Sequence, residues 1–207
     1  MADCIVRDNS AEYGGAVYIG TSHDVVTISN SSVVNNSALM DGGGIYGDAE
    51  NIVEFSGVDV SSNRALRGSG GGIYYASNEL TLAYSRISNN TAGVIGGGLL
   101  CNGDDIAITD SEFLFNVATI GGGAITLLTS NDVSVESCCF IGNVAGNRGG
   151  AIALSDVSGV FMFDSRFSAN SVQPLLGLVD LSSSLAASGR DTSSVDTALS
   201  MLGGAVY

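Results

Sequence analysis

Few side chains in this sequence could perform acid–base chemistry, and they are scattered. The chain has one histidine, His23, and no lysine, and its only adjacent acidic pair is Asp104-Asp105. Polysaccharide lyases and hydrolases need grouped carboxylates, a basic residue or calcium ligands on one face. Neighbouring residues of a strand point to opposite faces, so this pair makes a poor acid and base couple. We therefore predict that the protein is not an enzyme.

Oxygen ligands for calcium are the next candidates. If Asp104 and Asp105 lie in a turn, both could reach one ion. A second set shares one repeat position at the start of a strand: Asp24, Asn51, Asn78, Asp104 and Asn131. Asn and Asp also recur at such places because they tolerate left-handed turn geometry, and we favour this structural interpretation. We expect no resident metal and no cofactor.

The four cysteines, Cys4, Cys101, Cys138 and Cys139, have spacings that fit neither a zinc site nor a disulfide framework. Cys4 and Cys138 share a repeat position but lie five repeats apart, too far to bond to each other. Cys101 falls on an inward position, and the adjacent Cys138 and Cys139 should face opposite ways. The pattern predicts Cys139 as the exposed thiol.

Three sequons, at Asn30, Asn35 and Asn89, would accept glycans if the source glycosylates secreted proteins.

The positions of these residues are set by a repeat. A motif of two glycines, then Ala or Gly, then an aliphatic residue recurs at nearly equal intervals, except that the last interval is about twice as long. It begins at Gly14, Gly42, Gly70, Gly96, Gly122, Gly149 and Gly203. A second motif, an apolar residue followed three places later by Asn, recurs at a still steadier interval, with its amides at Asn9, Asn36, Asn63, Asn90, Asn116, Asn143 and Asn170.

Apolar residues alternate between these motifs, as in Val26-Thr27-Ile28 and Leu80-Thr81-Leu82, and a period of two indicates strands. Three short strands in each repeat, joined by glycine turns, are typical of one coil of a solenoid. A unit of this size cannot bury its own apolar face, so coils must stack. We predict an all-β fold: a right-handed, single-stranded parallel β-helix of about seven coils, each of about 27 residues. The asparagines should form a ladder from coil to coil.

The same register points Tyr18, Tyr46 and Tyr74 outward from three consecutive coils. Such a column is a candidate binding platform for a sugar ring or a partner protein. Stacked side chains also stabilise any solenoid without a ligand, and both interpretations stay open.

One segment departs from the repeat. We assign residues 1–170 to regular coils and 171–202 to a degenerate coil or, by slight preference, a projecting loop. Residues 203–207 then begin a further coil. The chain opens mid-coil and stops without a polar cap, which predicts either a fragment of a longer protein or chains that join head to tail in a filament.

The paired signatures can be compared with a known family. Gly-Gly-Ala-Ile and Phe-x-x-Asn, the latter literal at Phe113-Leu114-Phe115-Asn116 and Phe140-Ile141-Gly142-Asn143, resemble the repeats of chlamydial polymorphic outer-membrane proteins. Earlier coils carry Val or Ile in place of Phe. The resemblance implies a secreted β-helical passenger used in adhesion or surface architecture. The membrane-embedded barrel of that family has no counterpart in this sequence.

Charge and hydropathy exclude some partners. The formal net charge is −14, which disfavours nucleic acid and anionic membranes, because both need a basic surface. No apolar stretch is long enough to span a bilayer, and Met1 to Asn9 lacks the pattern of a secretory signal. We expect an extracellular or cell-surface adhesin fragment that binds a protein or glycan on another cell. A filament or coat subunit is the alternative, and a carbohydrate-active lyase or hydrolase comes third.

Overall fold

A computed structural model describes residues 1–20, 25–48, 52–76 and 79–173. These residues form four sheets in which every strand runs parallel to its neighbours and pairs with a strand 26 to 28 positions away. The chain therefore visits each sheet once per coil. The predicted parallel β-helix is confirmed, and its coils have the predicted length.

The first and second sheets have seven strands each. The first sheet consists of Ile5–Arg7, Ser32–Val34, Asp59–Ser61, Arg86–Ser88, Glu112–Leu114, Cys139–Ile141 and Arg166–Ser168. The second consists of Ser10–Ala11, Ser37–Ala38, Arg64–Ala65, Thr91–Ala92, Val117–Ala118, Val144–Ala145 and Ser171–Val172.

The third and fourth sheets have six strands each within the described ranges. The third consists of Val17–Ile19, Ile45–Asp48, Ile73–Ala76, Leu99–Asn102, Ile125–Leu128 and Ile152–Ser155. The fourth consists of Val25–Ser29, Ile52–Ser56, Glu79–Ala83, Asp105–Thr109, Asp132–Glu136 and Val160–Phe163.

The expectation of three strands per coil was wrong, because each complete coil has four. The additional strands are those of the second sheet, which are only two residues long and too short to show an alternating pattern. Their second residue is Ala in every coil but the last, as in Ala38, Ala65 and Ala92, which are buried. The small side chain suits the narrow interior beside the neighbouring turn.

Left-handed residues close three corners of each coil. The first corner, between the fourth and first sheets, comprises Asp3, Asn30, Gly57, Tyr84, Asp110, Ser137 and Asp164, all with φ between 45° and 64°. The second corner, between the first and second sheets, comprises Asp8, Asn35, Ser62, Asn89, Phe115, Gly142 and Ala169. The third corner, between the second and third sheets, is the first glycine of the repeated motif, as in Gly70 and Gly96.

The two leading glycines of the motif are required for different reasons. Gly96 has φ +66°, and a Cβ there would lie 2.6 Å from the carbonyl oxygen of Leu99 in the same turn. A Cβ on Gly97 would instead lie 2.6 Å from backbone atoms of Val117 in the adjacent coil. The first glycine therefore permits the turn, and the second permits the turn to approach the next coil.

Like side chains stack along the interior. The middle residues of the first sheet, including Val33, Ile87, Phe113 and Phe140, are fully buried. The rings of Phe113 and Phe140 stack with centroids 5.1 Å apart. Each coil thus buries its apolar residues against the same positions of its neighbours.

Asparagine side chains form a continuous hydrogen-bonded ladder at the second corner. From Asn9 to Asn143, each Nδ2 donates to Oδ1 of the asparagine in the following coil over 2.8–3.1 Å. That Oδ1 also accepts the backbone N–H of the preceding asparagine. The second Nδ2 proton goes to a backbone carbonyl, as from Asn63 to Val33. Asn36, Asn63, Asn90, Asn116 and Asn143 are completely buried.

The regular coil continues to Val172, two positions beyond the expected boundary at 170. Ser171–Val172 pairs with Val144–Ala145, and Met1–Val172 forms one compact unit. Residues 174–207, with the expected loop or degenerate coil and the further coil at 203–207, lie outside the described residues. Within the described ranges, no helix is long and apolar enough to cross a membrane.

Candidate functional site: a groove at the first corner

The predicted tyrosine column exists, and its three rings differ in exposure. The ring of Tyr46 stacks between those of Tyr18 and Tyr74, with centroids 5.3 and 5.0 Å away. Tyr46 is only 9% exposed and Tyr74 is half-buried, whereas Tyr18 is 60% exposed. The alternation correctly places the three rings outside the solenoid, but Tyr13 packs against Tyr46 from the preceding turn. Tyr18 is the most exposed ring of the column, and the binding role of Tyr18, Tyr46 and Tyr74 stays a prediction.

The rings around Tyr46 also affect the protonation of its hydroxyl group. Its hydroxyl donates to Oδ2 of Asp48 over 3.1 Å. Burial, followed by the nearby charge of Asp48, raises the pKa of the Tyr46 phenol far above its ordinary value. The phenol therefore stays protonated and serves as a packed, hydrogen-bonded part of the wall.

A different surface has the shape of a site. A groove of about 380 Å³ lies where the fourth sheet turns into the first. Three successive coils contribute its lining, which comprises Gly57, Val58, Asp59, Tyr84, Ser85, Arg86, Asp110 and Glu112. Coils rise by about 4.8 Å, so three coils give the groove a length of roughly 10 Å along the axis.

The repeat register explains how these residues meet. Gly57, Tyr84 and Asp110 are successive first-corner residues, and Asp59, Arg86 and Glu112 are successive outward residues of the first sheet. Val58 and Ser85 lie between the two columns and are buried. The groove is therefore a channel between two columns, with a buried floor.

Two features open this channel. Gly57 has no side chain at a position where other coils carry Asn, Asp or Ser, and the amide oxygen of Asn30 lies above it, 2.8 Å from where a Cβ would be. Tyr84 follows one coil later with φ 52° and a 69% exposed side chain. Left-handed backbone is unfavourable for a bulky residue, so Tyr84 is an outlier in a column of small and polar residues.

The charged residues of the groove are partly paired. Nε and Nη2 of Arg86 contact Oε2 of Glu112 at 2.9 and 2.8 Å. Their side chains are 56% and 47% exposed, so this ion pair adds little stability. Arg86 is also the direct register neighbour of Asp59 on the other side.

Asp59 is distinctive within the described part of the chain. Its Oδ1 is shielded from solvent, yet it accepts no hydrogen bond. A buried polar atom without a partner costs free energy and calls for a specific explanation. In this protein the atom belongs to a residue that lines the groove.

Two of the weak calcium candidates contact each other directly in the structure. Nδ2 of Asn131 donates to Oδ1 of Asp104 over 2.8 Å, so these two candidate ligands are hydrogen-bonded to each other. No group of three or more His, Cys, Asp or Glu side chains in the described ranges is arranged to hold a metal ion. Neither Asp104 nor Asn131 has positive φ, so the left-handed geometry we expected there is wrong. His23, Asp24, Asn51 and Asn78 lie outside the described residues.

The four cysteines are free thiols. Cys101 is buried, and burial raises the pKa of its thiol to about 12. Burial also raises the pKa of Cys138, whose thiol donates to the Glu136 carbonyl. Cys138 occupies the repeat position that other coils fill with Ser31, Ser85, Ser111 and Ser165. Cys139 is half-buried between Glu112 and Arg166 of the adjacent strands, so it is less accessible than the sequence suggested.

The three sequon asparagines are exposed and occupy left-handed corner positions. Asn30 lies in the first corner, and Asn35 and Asn89 lie in the second, with φ between 45° and 56°. Nδ2 of Asn35 donates to Oδ1 of Asp8 over 2.7 Å. Glycosylation of these residues stays a prediction.

Sequence reasoning missed the groove, although a signal was available. Asp59, Arg86 and Glu112 follow one another at the spacing of the repeat itself. Alignment of outward positions between coils brings the three together. The position of Tyr84 beside Gly57 requires the same alignment at the corner.

Comparison with known proteins agrees with this architecture. The sequence model of a family described as the right-handed beta helix region matches residues 1–146, which is more than two thirds of the chain. No curated protein and no solved structure gives a significant match.

Proposed function

Because the chain belongs to the right-handed β-helix family, we propose that it is a non-enzymatic binding protein of the cell surface or extracellular space. The groove at the first corner is its binding site. One observation carries the proposal: an exposed aromatic ring, a guanidinium group and three carboxylates converge on one groove in an otherwise regular wall. A solenoid needs none of these in register for its own stacking.

The chemistry of the groove supports a sugar ligand. The face of an aromatic ring such as Tyr84 packs well against the apolar face of a pyranose, and carboxylates accept hydrogen bonds from its hydroxyl groups. Arg86 presents donors in a planar fork.

The residue type at Tyr84 gives further support, because the backbone at this corner is left-handed in every coil and only here carries a bulky side chain. Residues held in left-handed geometry against their preference concentrate at functional sites. Phe115, the bulky residue of the second corner, has its ring over Gly142, where a Cβ would lie 2.5 Å from the ring. Tyr84 instead is 69% exposed and lines the groove.

The adhesin-type passenger is the finer form of this proposal. It rests on the resemblance of the Gly-Gly-Ala-Ile and Phe-x-x-Asn signatures to chlamydial polymorphic outer-membrane proteins, whereas the family match supports only the β-helix. Adhesion requires a surface site that grips a partner, and the groove supplies one.

Retention assays test the proposal. Beads coated with this chain should retain members of a panel of glycans and cells, and Tyr84→Ser should reduce that retention at least tenfold. Tyr18→Ser is the comparison variant, because Tyr18 is an exposed tyrosine of the third sheet, away from the groove. Loss of retention in Tyr18→Ser alone would assign binding to the tyrosine column. Equal retention by Tyr84→Ser and the unmodified protein would place the binding surface elsewhere.

A carbohydrate-active lyase or hydrolase is the second candidate. Asp110 and Glu112 line the same groove as Asp59, and glycoside hydrolysis uses a pair of carboxylates that flank the scissile bond. Release of reducing ends or unsaturated products from a polysaccharide panel, lost in Glu112→Gln, would establish this activity.

A further inference from the structure

The groove has an excess of negative charge that its own cation does not balance. Asp59, Asp110 and Glu112 carry carboxylates, and Arg86 is its only basic residue. Arg86 directs both contacting nitrogens to Glu112. Among the described residues, no arginine forms an ion pair with Asp59 or Asp110.

Asp59 is the carboxylate that lacks most compensation. Neither solvent nor a hydrogen-bond donor reaches its Oδ1. A ligand can reach only the other carboxylate oxygen, where a charged donor would make a strong, charge-assisted hydrogen bond. Because Asp59 lines the groove, a bound ligand can supply that donor.

Tyr84 adds a second preference in the same direction. The face of an aromatic ring attracts a cation within about 6 Å of its centre. It also stacks on a sugar ring. A ligand that combines a pyranose with a positive charge satisfies both Tyr84 and Asp59.

We infer that the ligand of this groove is a glycan containing an amino sugar with a free, protonated amine. The inference rests on the proposed binding function and specifies its ligand class. The amine lies against Asp59 and Asp110, and the sugar ring packs on Tyr84. A length of roughly 10 Å along three coils accommodates one or two sugar rings. Acidic sugars are disfavoured by the same carboxylates.

A matched pair of probes tests the charge requirement. Glucosamine oligomers with free amines and the same oligomers fully N-acetylated differ in charge but share their ring structure and linkage. Isothermal titration at pH 6 should show at least tenfold tighter binding of the free-amine oligomer. This preference should weaken as salt is raised, because the site is open to solvent and salt screens its charge.

Asp59→Asn keeps the shape of the side chain and removes its charge, so it should abolish most of the preference. Asp164→Asn is the control, because Asp164 is an exposed carboxylate of the same corner, away from the groove. Circular dichroism and the thermal midpoint should show that Asp59→Asn remains folded. A preference that survives in folded Asp59→Asn overturns the inference.

Other outcomes distinguish failure of the amino-sugar requirement from failure of the proposed binding function. Equal binding of both oligomers, lost in Tyr84→Ser, overturns the amine requirement and leaves the glycan-binding function intact. A lysine-rich peptide that competes as well as the free-amine oligomer overturns the sugar requirement. Failure of the whole glycan and cell panel to bind overturns both.

Discussion

Nδ2 of Asn90 donates to Oδ1 of Asn116 over 3.0 Å, and the same Oδ1 accepts the backbone N–H of Asn90 over 3.0 Å. Asn90 also donates to the carbonyl of Val60 in the preceding coil. One side chain thus joins three coils, and its removal leaves several buried groups unpaired.

We expect Asn90→Ala or Asn116→Ala to reduce the free energy of unfolding by about 1–3 kcal/mol, the usual cost of stranding buried polar groups. Urea unfolding, followed by far-ultraviolet circular dichroism, measures this change. Asn102→Ala is the control, because Asn102 is exposed at the end of the strand Leu99–Asn102 and lacks the left-handed backbone that would strain alanine. Unchanged midpoints for both ladder variants would contradict a stabilising role for the ladder.

The second glycine of the motif should tolerate a methyl group less well than the third. A Cβ on Gly97 meets Val117 backbone atoms of the next coil at 2.6 Å, whereas alanine occupies the position of Gly98 in the coils of Ala124 and Ala151. We expect Gly97→Ala to cost about 1–3 kcal/mol, as overpacking does, and Gly98→Ala to cost less. Equal thermal midpoints for the two variants would mean that the close approach of coils is not limiting.

Thiol labelling should distinguish the cysteines by burial. In native protein at pH 8, a maleimide should modify Cys4 and Cys139 and leave Cys101 and Cys138 intact. Because burial raises the pKa of Cys101 to about 12, its reactive thiolate is scarce at this pH. Mass spectrometry of peptides reports each site, and denaturation should equalise the four. Rapid native labelling of Cys101 would contradict its position in the core.

The central ring of the tyrosine column, Tyr46, should contribute to stability. Tyr46→Ser removes a ring stacked between two others and should cost about 2–4 kcal/mol, near the lower end of large core truncations. Tyr18→Ser removes a mostly exposed ring and should cost less than about 1 kcal/mol. Chemical unfolding of the two variants checks the order. Similar losses of unfolding free energy in the two variants would show that the rings packed around Tyr46 do not exclude water from it.

A rise in pH should destabilise the fold through Tyr46. Its phenol pKa is raised in the folded protein, so its contribution is fully present below about pH 10, where an unfolded tyrosine ionises. The contribution declines as pH rises from there towards the folded pKa, because the unfolded state releases the proton first. Thermal midpoints between pH 8 and 11 should fall more steeply for the unmodified protein than for Tyr46→Phe. Parallel slopes would assign the alkaline loss to other groups.

The sequence predicted the features that follow from strict spacing. The steps between Asn36, Asn63 and Asn90 equal the length of one coil, so the ladder was visible before the structure. The strands of the second sheet were missed because two residues cannot show a period. Alternation placed Tyr46 outside the solenoid correctly, but it contains no information about Tyr13, which packs against it.

The groove was missed for a related reason. Its lining comes from separate coils, and no short motif joins Asp59 to Arg86 and Glu112. Only side-by-side alignment of coils brings these residues to one surface, and Tyr84 enters it from a different column. The missing hydrogen bond at Asp59 Oδ1 depends on packing and has no signature in the sequence.

The ladder of asparagines has one direction, because every amide donates to the following coil and accepts from the preceding one. Each coil is therefore an interchangeable link with a donor end and an acceptor end. A gene duplication that copies a whole coil inserts a link that fits both neighbours at once. A short deletion within a coil instead moves its amide out of line and interrupts the chain of links. Length can thus vary in units of one coil, which gives evolution a simple means to extend the wall and move a groove along it.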